Sequence, residues 1–457
     1  MGRKRRHDAS NDTRRPPKHQ KMGNRVDAEP SEAPAQFEVD STLGLRRVVP
    51  YWWTHRVMAK GRWWQRELLE VYCKEFNDHS PQYFKDAIET GRIRVNGEIK
   101  DGVYRLRNGD AVSHRTHRHE PPIRCDQIRV VFADDDMLVV DKPPSIPVHP
   151  SGRYNHNTVL GILKSPEYGY SNLFSVNRID RLTSGILLLA RNKEKAAQLA
   201  AELADRNVQK TYLCRVRGLF PSEPIHCTEP IRVESNKLGI NMVHPDGRQC
   251  ETTFTLLHQN ASSNTSVVLC EPKTGRTHQI RVHLQWLGYP IWNDPLYCNE
   301  EFWGPELGKG GVLDPEAVLE RIRCAKVLND LGDGGGEGAW TGGDGERLPV
   351  RDGVKAGGST SLKPAAPESS TEDSASLNEA SLDVNNEQRE GVRSEEGLKP
   401  ALDQAPDDAC HECSIHRPDP DGSKLCIYLH AWKYSGDGWA YETPMPDWAS
   451  PDFVDEA

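Results

Sequence analysis

The apolar run Ile186-Leu187-Leu188-Leu189-Ala190 follows directly on a charged stretch, Asn177-Arg178-Ile179-Asp180-Arg181-Leu182-Thr183-Ser184-Gly185. A short apolar run bounded by Gly reads as a buried strand. The loop that feeds such a strand is held rigidly at the edge of a core, and a carboxylate there is well placed to act as a catalytic acid, base or nucleophile. Taken alone, the segment is equally compatible with a tight, solvated turn in which an Asp sits between two Arg.

Two further segments weigh against the solvated turn. Gln209-Lys210-Thr211-Tyr212-Leu213-Cys214-Arg215-Val216 alternates like a strand and carries a Tyr. Thr274-Gly275-Arg276-Thr277-His278-Gln279-Ile280-Arg281-Val282-His283-Leu284 gathers two Arg and two His into a run that opens a helix. In this order the three segments resemble the motifs of RluA-type pseudouridine synthases. The likeness starts near Ile128, reaches about Asn299, and resumes from Leu425 through His430 to Thr443-Pro444-Met445-Pro446. Three ordered motifs are far more specific than one.

The resemblance implies an α+β fold, a mixed and mainly antiparallel sheet with flanking helices. It implies an isomerase converting uridine to pseudouridine in RNA, with tRNA as the expected species and no metal or organic cofactor. Asp180 would be the catalytic carboxylate and Arg281 the guanidinium that keeps it ionised and oriented. Tyr212 would stack on the displaced uracil and help remove the C5 proton. Arg178 would fill the space left in the RNA when the uridine flips out. Arg153, Lys273 and Arg276 are phosphate-contact candidates on charge and position. The chain departs from the family pattern in three places. Asn177 stands for the usual His and Ile179 for Leu, and in the loop Lys142-Pro143-Pro144-Ser145-Ile146-Pro147-Val148-His149-Pro150 a Ser replaces the usual Gly. Asn cannot be cationic, which puts a neighbouring contact in doubt.

Upstream, residues 64–115 read as a small unit. Leu68, Leu69, Tyr72 and Phe76 fall at helical spacing, a second helix runs from Pro81 to Thr90 and is closed by Gly91, and Asn96-Gly97 marks a turn after a short strand. The unit resembles the S4 RNA-binding module, with Lys85, Arg92 and Arg94 toward phosphate; a helical hairpin with a solvated basic face would show the same pattern. His114, His117 and His119 alternate with Arg115 and Arg118, and read as a basic linker because no Cys or carboxylate set stands at ligand spacing from them. Cys410-x-x-Cys413 followed by Cys426 and His430 has a zinc-like composition, yet the resemblance assigns His430 to the packing of its own strand. The expectation is therefore no metal.

Charge is unevenly spread. Whole-chain net charge is −9, but residues 330–409 hold 18 Asp and Glu against 7 Lys and Arg, so the remainder is slightly basic. Local charge, not the total, attracts phosphate. The basic clusters at 3–6 and 14–18 read as a nuclear signal, a nucleic-acid tail or a solubilising tail. The expected organisation is a disordered basic tail over 1–40, the S4-like module over 64–115, and a catalytic domain over 127–299 and 425–457. A largely disordered, acidic insertion would span 300–424. Hydrophobic residues make up 36% of the chain, there is no apolar h-region at the start, and no run approaches the roughly 18–20 residues of a membrane span. The expectation is a soluble monomer in a reducing compartment, nucleus and/or cytoplasm in preference to mitochondrion.

Overall fold

The computed structural model describes residues 35–76, 79–235, 238–325, 410–414 and 418–453. The two basic clusters and the acidic stretch 330–409 lie outside the described residues.

The described chain opens with β1 (Phe37–Asp40), β2 (Leu45–Val48) and β3 (Tyr51–Met58), then α1 (Leu68–Glu75), α2 (Pro81–Glu89), β4 (Ile93–Val95), β5 (Ala111–Arg118) and β6 (Ile123–Arg124). Ser80 caps α2 by accepting from the Tyr83 N–H at 3.2 Å, and Pro81 takes the first helical position, where no N–H is needed. Asn96 and Gly97, with φ of 54° and 80°, make the hairpin turn after β4. Leu68, Phe84, Ile88, Ile93 and Val112 pack a core of this unit's own. The unit starts earlier than residue 64, because β3 pairs with β5 along its whole length, from Tyr51 opposite Arg118 to Met58 opposite Ala111. Strand Phe37–Asp40 likewise falls within the range expected to be a tail.

The larger sheet unit follows with β7 (Arg129–Ala133), β8 (Met137–Lys142), α3 (Val159–Leu163), β9 (Phe174–Ser175), β10 (Ser184–Ala190), α4 (Lys193–Ala204) and β11 (Gln209–Arg217). Next are β12 (Ile225–Cys227), β13 (Ile231–Ser235), β14 (Ile240–Val243), β15 (Thr252–Asn260), β16 (Thr265–Pro272) and α5 (Gln279–Leu287). Last are α6 (Glu300–Trp303), α7 (Pro315–Cys324), the single turn α8 (His411–Ser414), β17 (Leu429–Gly436) and β18 (Trp439–Glu442). Ten strands form one sheet in the order β12-β15-β16-β11-β17-β10-β8-β7, with β18 beside β17 and β9 beside β10. Its pairings are antiparallel except that of β10 with β17, which lasts two residues, Ser184 opposite His430 and Gly185 opposite Ala431.

The apolar run is thus a central strand covered on both faces. Leu187 and Leu189 enter one core with Leu138 and Val140, while Ile186 and Leu188 enter another with Val139 and Tyr434. The two sets alternate because side chains in a strand point to opposite faces. Gly185 has φ +108°, and a Cβ there would lie 2.2 Å from the Ala431 carbonyl oxygen, so only glycine lets β17 come so close.

Two boundaries differ from the sequence reading. α6 and α7 lie in the range expected to be insertion, yet Phe302, Trp303, Val318, Leu319 and Ile322 belong to the largest core cluster. The segment resuming at Leu425 does not open directly on a strand: Gly422–Leu425 forms a turn of 3-10 helix, and the final long strand runs Leu429–Gly436. No described helix is long and apolar enough to cross a membrane.

Ser145 adopts φ +73° and is fully buried, so the turn keeps the left-handed backbone that a Gly would adopt freely. Its hydroxyl accepts the Arg124 N–H at 2.9 Å. Ser145→Ala should cost about 1–2 kcal/mol, because the strain stays and an N–H loses its partner. Ser145→Gly should cost less, as relieved strain offsets the lost bond. Urea denaturation separates the two, and equal losses would mean that the left-handed serine carries no strain.

Candidate active site

The loop before β10 is pinned on either side of its carboxylate. Ile179 is buried in the core shared with Tyr434, and Leu182 in the largest core cluster. Lys142, itself fully buried, donates to the carbonyls of Pro143, Ile146 and Arg181 at 2.7, 2.9 and 3.1 Å, fastening the Pro-rich loop to the catalytic loop. Asp180 is left facing a pocket of about 140 Å³. Its walls include Arg178, Lys210, Tyr212, Gly275, Arg276, His278 and Arg281.

Asp180 Oδ2 lies 3.4 Å from Arg281 Nη1 and 3.8 Å from His278 Nε2. Burial pushes the Asp180 carboxyl up, but His278, Arg281 and Arg178 outweigh it and hold the group below its ordinary value. Arg281 is buried to 1% exposure and reaches the site from α5, whose residues Gln279 to Gln285 are all buried. Its main partner is Asp294, which takes Nε at 2.7 Å and Nη2 at 3.0 Å in a bidentate pair. Asp294 also accepts the N–H groups of Leu296 and Tyr297 at 2.9 and 3.0 Å. Arg281 is therefore fixed by Asp294 and presents its remaining nitrogen to Asp180. His278 sits at the start of α5 with φ +58°, and its Nδ1 lies 3.0 Å from the Tyr297 hydroxyl.

Tyr212, on β11, hydrogen-bonds through its hydroxyl to that of Tyr434 on β17. Burial pushes its phenol up to about 12, against a lowering by that bond. Burial thus favours the protonated phenol at Tyr212, which lines the pocket beside Asp180. Asn177 accepts the Leu188 N–H at 3.2 Å and hydrogen-bonds to Tyr434. The departure from His therefore falls on the support of the tyrosine pair.

Of the residues singled out in the sequence, Asp180, Arg178, Tyr212, Arg276 and Arg281 meet at this pocket. Lys273 is exposed on the segment that forms one wall, between Pro272 and Thr274. Arg153 is elsewhere and ion-paired with Glu412 at 3.3 Å, so its charge is already committed. Lys85, Arg92 and Arg94 are on the N-terminal unit, where Arg92 lies 4.9 Å over the Tyr83 ring and Arg94 donates to the Gly91 carbonyl at 2.9 Å. Sequence reasoning missed Asp294, Tyr434 and the anchoring role of Lys142. It passed over Lys210, half-buried in the pocket wall, although the Lys-x-Tyr spacing on β11 already puts the two residues on one face.

A carboxylate ringed by guanidinium and ammonium groups in one pocket is an arrangement that attracts a polyanion such as nucleic acid. Comparison with known proteins agrees. Residues 136–286 match the family model described as RNA pseudouridylate synthase. The chain is 38% identical over 426 residues to human pseudouridylate synthase RPUSD2, covering 90% of this chain and 74% of the relative. It is 40% identical over 291 residues to the Saccharomyces cerevisiae tRNA pseudouridine(32) synthase, mitochondrial, covering 63% of this chain and 62% of that one. It is 30% identical to the tRNA pseudouridine(31) synthase of the same yeast, covering 91% and 98%. The chain belongs to the RNA pseudouridylate synthase family. It is an isomerase acting on uridine in RNA.

Proposed function

We propose that the substrate is tRNA and that Asp180 is the carboxylate that carries the reaction. The observation that supports this most directly is the ionised Asp180 at the pocket, held by Arg281. The substrate class is supported by the two yeast relatives, both named for tRNA positions. The isomerisation breaks C1′–N1, turns the uracil and joins C1′ to C5, with the C5 proton replaced by one on nitrogen. No electrons are gained or lost overall. Asp180 serves as the anionic group beside the ribose. Tyr212 packs the uracil ring as it turns, and Arg178 enters the stack that the flipped nucleotide leaves. Arg276 and Lys273 take the flanking phosphates, and the N-terminal unit adds Lys85, Arg92 and Arg94 to the RNA footprint. The basic clusters at 3–6 and 14–18 support a nuclear or cytoplasmic workplace, and fractionation of tagged full-length protein tests that against the mitochondrial destination in one relative's name.

The test is pseudouridine mapping of total tRNA treated with the protein. One uridine position converted by the wild type identifies the substrate. No conversion in any tRNA, with conversion in another RNA, would overturn the tRNA reading. Arg178→Ala should lower kcat/KM roughly ten- to thirtyfold on folded tRNA and much less on an unstructured fragment, where no stack is opened. Equal losses on both would remove Arg178 from the flipping step.

A further inference from the structure

β5 carries His114 and His117, His119 follows one residue past its end, and the extended backbone sorts them. Positions 114 and 117 fall on opposite faces, and 119 follows 117 on the same side. His114 is 7% exposed and turns into the N-terminal core, with its ring 5.5 Å from that of Tyr72. His117 and His119 turn the other way, and His119 Nε2 lies 3.1 Å from His117 Nδ1. The chain returns to this spot nearly three hundred residues later. α8 is a single turn that carries Cys413, Cys410 stands immediately before it, and the Cys413 N–H donates to the Cys410 carbonyl at 3.1 Å, which brings both sulfurs to one side. Cys413 Sγ lies 3.2 Å from His117 Nδ1 and 3.4 Å from His119 Nε2; Cys410 Sγ lies 3.6 Å from His119 Nε2. All four ligand atoms fall within 4.8 Å of one another.

These spacings are the edges of a coordination tetrahedron. With zinc bonds of about 2.05 Å to nitrogen and 2.3 Å to sulfur, tetrahedral geometry needs roughly 3.3 Å between nitrogens and roughly 3.5 Å between nitrogen and sulfur. Two thiolates and two imidazoles are also the donor set that favours zinc over the oxygen-seeking cations. The surroundings hold the ligands in place. The Trp52 ring lies 5.1 Å from that of His117. Arg118 donates to the carbonyls of Gly152 and Arg153 at 2.9 and 3.2 Å, and Arg153 pairs with Glu412 between the two Cys. The pairing with Cys426 and His430 weighed from the sequence does not form. His430 lies 2.8 Å from Ser184 Oγ and 2.7 Å from Thr443 Oγ1, and Cys426 donates to the Ser423 carbonyl at 3.2 Å.

We propose that His117, His119, Cys410 and Cys413 bind a structural zinc ion that clasps the chain re-entering after residue 409 to the end of β5. Four protein ligands close the coordination shell and leave no position for a reacting water, and none of the four lines the Asp180 pocket. The metal staples two distant parts of the sequence and takes no part in the isomerisation.

The test uses the full chain, purified under reducing conditions. Elemental analysis should find about one zinc per chain after dialysis against a mild chelator. Replacement by cobalt(II) should give the absorption of a tetrahedral ion with two thiolate ligands. Cys413→Ser and His119→Asn should each drop the zinc content at least tenfold, while Cys324→Ser, at an exposed thiol outside the cluster, should leave it intact. Wild-type protein without zinc and without a thiolate–cobalt band overturns the proposal, as does zinc content unchanged in Cys413→Ser. The cobalt spectrum reads the wild type, so it stands even where a variant fails to fold.

Discussion

Replacing Asp180 by Asn should abolish uridine conversion, by at least about 10⁴-fold in single-turnover rate, while shifting the denaturation midpoint little. The two effects separate because the side chain has only a modest structural part. Its contacts to Arg281 at 3.4 Å and His278 at 3.8 Å are long, and burial offsets much of what its cationic neighbours supply. The pH profile provides an independent check. The folded-state value of Asp180 is lowered, so the carboxylate and its share of stability are present above the ordinary value near 3.9 and are lost only as pH falls through the lower, folded one. Turnover should therefore show no acid limb from this group between about pH 7 and pH 5. Residual conversion by Asp180→Asn above a hundredth of wild type would remove Asp180 from the chemistry, and an acid limb near pH 6 that is lost with Asn would show that the carboxyl is not held ionised.

Asp294→Asn should do the reverse and break the fold, at a cost of about 3–5 kcal/mol. Arg281 and Asp294 side chains are 1% and 0% exposed, and both guanidinium contacts are short. Removing the anion leaves a buried cation whose remaining carboxylate is the more distant Asp180. Chemical denaturation measures the loss, and the folded fraction should also turn over more slowly, because Arg281 is no longer aimed. A loss below about 1 kcal/mol would show that Asp180 alone can carry the buried charge. The comparison ranks the two anions of Arg281: Asp294 holds the protein together, and Asp180 draws on the cation that Asp294 has fixed.

Much of the site is legible in the sequence because its chemistry lies in contiguous segments. Asp180 precedes its strand, Tyr212 lies on an alternating strand, and Arg281 lies one helical turn past His278. Each has a local pattern, and the three segments occur in order. Asp294, Tyr434 and Lys142 have no such pattern. Their roles depend on which distant residue the fold brings opposite, and only pairing across the sheet or burial beside α5 reveals it. The same limit explains α6 and α7. Their apolar residues are few and set among polar neighbours, so they look like the start of an insertion until Phe302 and Ile322 are seen in the core. The His117–Cys413 group failed for this reason too. Each half was noticed, but spacing along the chain cannot join residues 296 positions apart.

β17 lies between β10 and β11, yet β11 ends at Arg217 and β17 starts at Leu429. During synthesis the sheet would therefore wait without the strand that joins its halves, β11 lacking its partner from Gln209 to Cys214 and β10 lacking one at Ser184 and Gly185. At about 5–20 residues per second, the ribosome needs on the order of ten to forty seconds to supply the missing strand. Open edges are templates for pairing with other chains. The nascent protein thus depends on being shielded through this interval, and its yield in cells should respond to chaperone supply more than its equilibrium stability would indicate.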